Sequence, residues 1–214
     1  MSIWDDKPSF ATILIAGTTK SPNNIKTSDK TRANGSYLNG IQCDMVTMRD
    51  WVTKHEFNYG QLDTVLQDMK YLSKDTVLDR IRKCATKPKH GIKIYYSGHG
   101  QTGTGNWCFA DGVVSLTDVI KAVRSQAGDI YLYIYADCCY SGNWAQNLKA
   151  LKGKQRSVFI RAASCPGKVA YDTKEGGMWT LWWTDKKEES ELPNFAGCRG
   201  DLEMDWKTYS FRTE

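Results

Sequence analysis

The sequence predicts an α/β protein with a mostly parallel central β-sheet flanked by helices. Apolar, β-branched and aromatic runs of strand length alternate with segments whose apolar residues recur every three or four positions. This alternation is typical of parallel sheets, because a crossover helix must carry the chain back between parallel strands. Two of the strand-like runs end abruptly in small or reactive residues, and such sheets hold their ligands at the carboxyl ends of the strands.

The first part of the chain is predicted to contain three strands and two helices. Apolar residues three and four positions apart indicate an amphipathic helix from Leu38, and Asp44 falls early in it, off the apolar stripe. A carboxylate near a helix N-terminus also has a purely structural explanation in the helix dipole. Ser73 is the expected N-cap of the second helix. The predicted elements are strand 11–17, helix 38–56, edge strand 61–68, helix 74–85 and strand 93–97.

The remainder continues the same alternation. A Gly-rich segment after His99 predicts a small surface hairpin, and the aromatic run Gly177–Trp183 predicts a buried helix in which packing outweighs ligand stacking. The other predicted elements are helix 115–125, strand 130–137, short helix 143–151, strand 157–163 and a last strand at 206–211.

Length and composition predict one domain spanning 1–214, without a membrane segment or a nucleic-acid site. The chain has 214 residues, 41% hydrophobic and 25% charged, close to the ordinary globular mixture. No apolar run approaches the roughly 20 residues of a membrane span, and the N-terminus lacks a signal-peptide pattern. The net charge of +5 is scattered among acids, which argues against nucleic acid. We therefore expect a soluble, cytoplasmic protein.

Cysteine and histidine usage predicts free thiols and no metal site or cofactor. Seven cysteines is an odd number, and no Cys-x-x-Cys pair accompanies the three histidines. Without a secretion signal, a disulfide framework is not expected.

The two strand ends carry the chemistry. The run Lys93–Gly100 (KIYYSGHG) delivers His99, and the run Ile130–Gly142 (IYLYIYADCCYSG) delivers Cys139. Side by side in a parallel sheet, these strands would bring an imidazole to a thiol, which is mostly protonated near neutral pH until a base activates it. This pattern predicts an enzyme with a cysteine nucleophile.

The motifs YYSGHG and DCCYSG resemble the caspase-fold cysteine peptidases and are most similar to metacaspases. The resemblance implies a three-layer caspase-like fold, Cys139 as nucleophile, and His99 as its base. The backbone amides of Gly100 and Cys139 would then stabilise the oxyanion. Cys138 competes as nucleophile, but alternation along a strand turns it the other way and we expect it to pack inward.

The resemblance also implies a substrate preference. In metacaspases the counterparts of Asp44, Ser97 and Asp137 line the pocket for the residue before the cleaved bond. Two carboxylates there would attract Arg or Lys. The partners are thus protein or peptide substrates with basic residues at that position. The structural alternatives are a helix-terminus charge for Asp44 and a strand-end turn for Asp137.

The sequence departs from the metacaspase pattern at Ile41 and Tyr140, where Cys and His are usual. The acidic calcium-binding cluster that many metacaspases carry after the His strand is sparse here, so we expect no calcium dependence. The basic loop 149–156 is a candidate for self-cleavage, and the resemblance implies a monomer. Two alternatives remain: an Asp-specific caspase-like peptidase, for which Arg161 could be recruited, and a catalytically silent scaffold.

Overall fold

A five-stranded, fully parallel sheet in the order β2-β1-β3-β6-β7 forms the centre of the computed structural model. The structure describes residues 10–18, 38–55, 61–67, 72–86, 90–127, 130–150, 158–184 and 186. The strands of this sheet are β1 (Phe10–Ala16), β2 (Gln61–Leu66), β3 (Gly91–Ser97), β6 (Tyr131–Asp137) and β7 (Val158–Ala162).

Two short antiparallel hairpins and five helices surround the sheet within the described part of the chain. The hairpins are β4 (Trp107–Phe109) with β5 (Gly112–Val114), and β8 (Asp172–Thr173) with β9 (Gly176–Gly177). The helices are α1 (Ile41–His55), α2 (Lys74–Ala85), α3 (Leu116–Ala127), α4 (Gly142–Ala150) and α5 (Met178–Trp183).

Helices pack on both faces of the sheet, which gives three layers. Alternate strand residues point to opposite faces. On one face Ile94 and Ile134 lie in a core cluster with residues of α2, α3 and α4. On the other face Leu14 and Tyr95 pack with residues of α1 and α5. The predicted α/β class, the mostly parallel sheet and the three-layer arrangement are confirmed.

The strand that delivers His99 and the strand that delivers Cys139 are neighbours. Strands β3 and β6 pair in parallel from Gly91 opposite Tyr131 to Ser97 opposite Asp137. They lie at the centre of the sheet, with β1 beyond one and β7 beyond the other. The prediction that both strands end at the same edge is confirmed.

Two local predictions need correction. The hairpin β4–β5 is not a surface feature, because Trp107 and Phe109 are fully buried in the main core cluster. Asp44 does not lie off the buried stripe of α1: only 1% of it is exposed, like Ile41. Its carboxylate points into the molecule and accepts hydrogen bonds from Ser97 and Gly177.

Some predictions fall outside the described residues. These are the last strand at 206–211 and the part of the candidate processing loop beyond Ala150, where α4 ends. Among the helices that the structure describes, none combines the length and the apolar character required to cross a bilayer.

Candidate active site

The predicted site residues gather at the carboxyl edge of the β3–β6 pair. Ser97 and Asp137 are the last residues of the two strands and lie directly opposite each other. His99 follows β3 by two residues and Cys139 follows β6 by two residues. Because the two strands end opposite each other, His99 and Cys139 lie at equivalent positions beyond the end of the sheet.

The backbones of Gly100 and Cys139 are in direct contact. A Cβ atom placed on Gly100 would overlap the carbonyl oxygen of Cys139 and lie 3.2 Å from its backbone nitrogen. Only glycine permits this approach. The contact joins the loop that carries the imidazole to the turn that carries the thiol.

The segment around His99 is fixed by the buried residues beneath it. The Tyr96 hydroxyl donates to the His99 carbonyl oxygen at 2.8 Å, and the Cys108 N–H donates to the same oxygen at 3.1 Å. His99 itself is 1% exposed. The imidazole thus belongs to a packed scaffold and not to a free surface loop.

The turn after Cys139 has an unusual backbone conformation. Tyr140 has φ of 61°, in the left-handed region that a side chain disfavours. The turn is held by hydrogen bonds from Tyr140 N–H to the Lys168 carbonyl, at 2.7 Å, and from Gly142 N–H to the Ser164 carbonyl, at 2.8 Å. Strained backbone conformations that neighbouring contacts hold in place are frequent at functional sites.

A pair of buried serines supports the same turn. Ser164 Oγ accepts from Ser141 N–H at 3.1 Å and donates to the Cys138 carbonyl at 3.1 Å. The two hydroxyl groups also lie 3.1 Å apart. These contacts tie the residues on both sides of Cys139 to the segment that follows β7.

The adjacent thiols point to different surroundings. Cys138 Sγ lies 3.9 Å from the Gly105 carbonyl oxygen, and burial, followed by the neighbouring Cys139, raises the pKa of Cys138. Cys139 Sγ lies 3.6 Å from the Ala170 carbonyl oxygen, and both cysteines are among the residues that line a cleft. The inward packing expected for Cys138 is confirmed, since only 2% of it is exposed.

The cleft beside Cys139 is acidic. Its volume is about 280 Å³ with its open mouth included. Carboxylates from three different elements meet there: Asp44 from α1, Asp137 from β6 and Asp172 from β8. Its lining residues are Leu38, Ile41, Asp44, Ser97, Gly98, Asp137, Cys138, Cys139, Ala170, Tyr171, Asp172 and Gly177.

Hydrogen bonds hold the two buried carboxylates in place. Asp44 accepts from the Ser97 hydroxyl at 2.6 Å and from the Gly177 N–H at 2.8 Å. Asp137 accepts from both the N–H and the hydroxyl of Thr180, with the N–H at 3.2 Å. Each carboxylate therefore has a fixed orientation toward the cleft.

Burial and neighbouring negative charges raise the pKa values of this pair. Desolvation raises the pKa of Asp44 well above its usual range, and the charge of Asp137 raises it further. Desolvation also raises the pKa of Asp137 to about 7, with an added contribution from Asp172. A cation in the cleft would lower both pKa values, because a nearby positive charge stabilises the ionised carboxylates.

The structure brings Asp44, Ser97, Asp137 and Cys139 to one cleft, whereas His99 and Gly100 do not line it. Sequence reasoning missed Asp172 and Thr180. Asp172 sits in a polar stretch without a motif, and Thr180 is hidden in an aromatic helix, so neither position carried a signal.

A metal-binding group is not found among the described residues. No set of three or more His, Cys, Asp or Glu side chains in that part of the chain could hold a metal ion. The three carboxylates of the cleft are instead satisfied by N–H and hydroxyl donors of the protein.

The fold is similar to that of a solved caspase and of one further solved protein. Caspase-1 from Spodoptera frugiperda matches with a TM-score of 0.54 and 11% identity, over 84% of this chain and 68% of that chain. Protein GSU0716 from Geobacter sulfurreducens matches with a TM-score of 0.54 and 15% identity, over 83% of each chain. No protein-family model and no curated protein matches the sequence. The chain thus has a caspase-like α/β fold, as predicted.

Proposed function

We propose that this protein is a metacaspase-like cysteine endopeptidase that cleaves peptide bonds after Arg or Lys. The observation that carries the proposal is the position of Cys139 at the wall of a cleft lined by three carboxylates. A thiol beside an anionic pocket is suited to a substrate that places a cationic side chain next to the bond under attack.

The chemistry uses the two predicted residues of the dyad. His99 takes the proton of the Cys139 thiol, and the thiolate attacks the carbonyl carbon of the scissile bond. The C–N bond then breaks as the imidazolium returns the proton to the leaving amine, which leaves a thioester on Cys139. Water, deprotonated by His99, attacks the thioester and releases the carboxylic acid and the thiol.

The oxyanion formed in each addition step needs N–H donors in a fixed position. The backbone contact between Gly100 and Cys139 supports this role for their amides. A preorganised donor pair is more effective than solvent, because it does not reorient as the charge develops.

The charge of the cleft favours basic over acidic substrates. None of the cleft residues that the structure describes is Lys or Arg. Arg161, which an Asp-specific pocket would need to recruit, stacks on the Trp183 ring at 4.0 Å from its centre. An aspartate side chain in this cleft would meet like charges and lose solvation.

Turnover of matched fluorogenic peptides tests the proposal. Peptides that differ only in Arg, Lys or Asp before the cleaved bond are incubated with the wild type, with and without calcium. Cys139→Ala serves as the blank and Cys138→Ala as the matched control. We expect cleavage after Arg or Lys by the wild type and by Cys138→Ala, and none by Cys139→Ala.

Two outcomes would change the proposal. Turnover of only the Asp peptide would keep the dyad and overturn the basic specificity. No turnover of any peptide, even after limited proteolysis, would favour a silent caspase-like scaffold. A requirement for calcium would contradict the expectation drawn from the sparse acidic residues after β3.

A further inference from the structure

Asp172 is a carboxylate that neither the motifs nor the dyad uses, yet it lies in the cleft beside Cys139. It begins the short β8–β9 hairpin, and it is partly exposed, whereas Asp44 and Asp137 are 1% and 5% exposed. It is therefore at the mouth of the cleft, and the other two carboxylates are at its base.

Contacts with the turn before α1 hold the Asp172 side chain in place. Its Oδ2 accepts a hydrogen bond from Gly40 N–H, in the turn before α1, at 3.1 Å. A Cβ atom on Gly40 would overlap the Asp172 carboxylate, so the close approach requires glycine. The Cys43 thiol also lies 3.5 Å from the Lys174 carbonyl oxygen, which attaches the turn of this hairpin to α1.

The two deeper carboxylates are poorly placed to attract a cation alone. Their oxygens already accept hydrogen bonds from Ser97, Gly177 and Thr180. Burial raises the pKa of each, and that of Asp137 rises to about 7, so Asp137 is partly protonated near neutral pH. A partly exposed carboxylate at the mouth has a smaller desolvation cost to overcome when a basic side chain arrives.

We propose that Asp172 is a third specificity-determining residue, which selects a cationic side chain at the mouth of the cleft before that side chain reaches Asp44 and Asp137. This inference rests on the proposed function, because it concerns the same substrate position. It adds a residue on the β8–β9 hairpin to the strand-end and helix residues that the motifs supply. Charge at this position discriminates between arginine and a neutral side chain of the same shape.

Direct peptide binding tests the role of Asp172 without relying on turnover. Two labelled peptides differ only in Arg or citrulline, its uncharged isostere, at the position before the cleaved bond. Their dissociation constants are measured on Cys139→Ala and on Cys139→Ala/Asp172→Asn. We expect the Arg peptide to bind roughly five-fold more weakly to the second protein, as for the loss of one partly exposed ion pair. The citrulline peptide should change by less than about two-fold.

Two variants separate charge from structure. Asp172→Glu keeps the charge and should restore much of the Arg preference. Asp111→Asn removes an exposed carboxylate that accepts from Lys74 N–H, away from the cleft, and should leave both affinities unchanged. Thermal melting of each variant establishes that the fold is retained.

The outcomes distinguish this inference from the proposed function. An unchanged ratio of Arg to citrulline affinity in the Asp172→Asn background overturns the role of Asp172, even if the wild type cleaves Arg peptides. A collapsed ratio in a protein that cleaves nothing would support Asp172 and overturn the peptidase. Equal binding of the two peptides to Cys139→Ala itself would also overturn the inference.

Discussion

Asp44 and Asp137 are carboxylates that the fold buries at a cost. A buried carboxylate loses solvation, and two close together repel each other when both are ionised. Backbone and hydroxyl donors offset part of this cost at both residues. The remaining destabilisation is visible in their raised pKa values. A cation bound beside the pair would offset part of this cost.

Titration of Asp137 should make the folded protein less stable as the pH rises. Its pKa is raised from 3.8 to about 7, so the folded state holds the proton more tightly than the unfolded state. The associated stability is fully present below pH 3.8 and is lost as the pH approaches about 7, with Asp44 acting in the same direction. Asp137→Asn removes this titration, so its advantage over the wild type should increase from pH 5 to pH 8.

Thermal melting of both proteins at pH 5, 6, 7 and 8 measures this difference. We expect Asp137→Asn to gain on the order of 2–4 kcal/mol relative to the wild type across the window, or roughly 5–10 °C in Tm. Asp111→Asn, at an exposed position, is the control and should follow the wild type. A constant gap between Asp137→Asn and the wild type would contradict the account.

At the scale of elements, the site depends on turns that neighbouring segments hold in place. The turn after β6 has the left-handed Tyr140 and is tied to the segment after β7 through Ser141 and Ser164. The β8–β9 hairpin supplies Gly177 N–H to Asp44 and places Asp172 in the cleft. Strands β3 and β6 place Ser97 and Asp137 at the edge of the sheet, and these turns place Cys139 and Asp172 beside them.

Ser164→Ala should loosen the nucleophile turn. The change removes the hydroxyl that contacts Ser141 and the Cys138 carbonyl, which we expect to cost about 1–3 kcal/mol of folding free energy. Peptide turnover should also fall, by roughly ten-fold or more, because the thiol is less well positioned. Denaturant unfolding and kcat measurements on the same samples check both effects.

Ser125→Ala is the matched control for Ser164→Ala. Ser125 is exposed on α3, and its hydroxyl donates to the Ala122 carbonyl oxygen at 2.9 Å. Its loss should change stability only slightly and leave kcat unchanged. Equal kcat for Ser164→Ala and the wild type would show that the serine pair does not position Cys139.

The sequence predicted the strands that end at the site better than the turns that complete it. The runs before His99 and Cys139 are strongly apolar, and their pairing follows from parallel-sheet geometry. Asp172 and Thr180 were missed because their contacts join residues far apart in the chain, such as Asp172 with Gly40. The burial of the β4–β5 hairpin was missed for the same reason: a Gly-rich segment resembles a surface turn until its aromatic partners are known.

For the whole molecule, an aromatic stack connects this hairpin to the sheet and to α4. The Trp107 ring stacks on Tyr96 and on Trp144, with 4.6 Å between ring centres in both pairs. Tyr96 also supports the His99 carbonyl through its hydroxyl. Tyr96 therefore belongs to the aromatic stack of the core and also supports the segment that carries His99.

Trp107→Ala should destabilise the whole fold. Removal of a fully buried ring leaves a cavity, and we expect a loss of about 3–5 kcal/mol in the free energy of unfolding. Tyr131→Ala, at a side chain that is 47% exposed, is the control and should cost much less. Chemical denaturation followed by circular dichroism measures both. A Trp107→Ala protein as stable as Tyr131→Ala would contradict the assignment of this stack to the core.

Covalent labelling with peptide ketone probes tests the central claim most directly. Probes that carry Arg or Asp next to a thiol-reactive ketone are incubated with the wild type, Cys139→Ala and His99→Ala, and the modified residue is mapped by mass spectrometry. The account predicts rapid labelling of Cys139 by the Arg probe, slower labelling in His99→Ala, and little labelling by the Asp probe. Preferential labelling by the Asp probe, or adducts of the Arg probe on another cysteine, would contradict it.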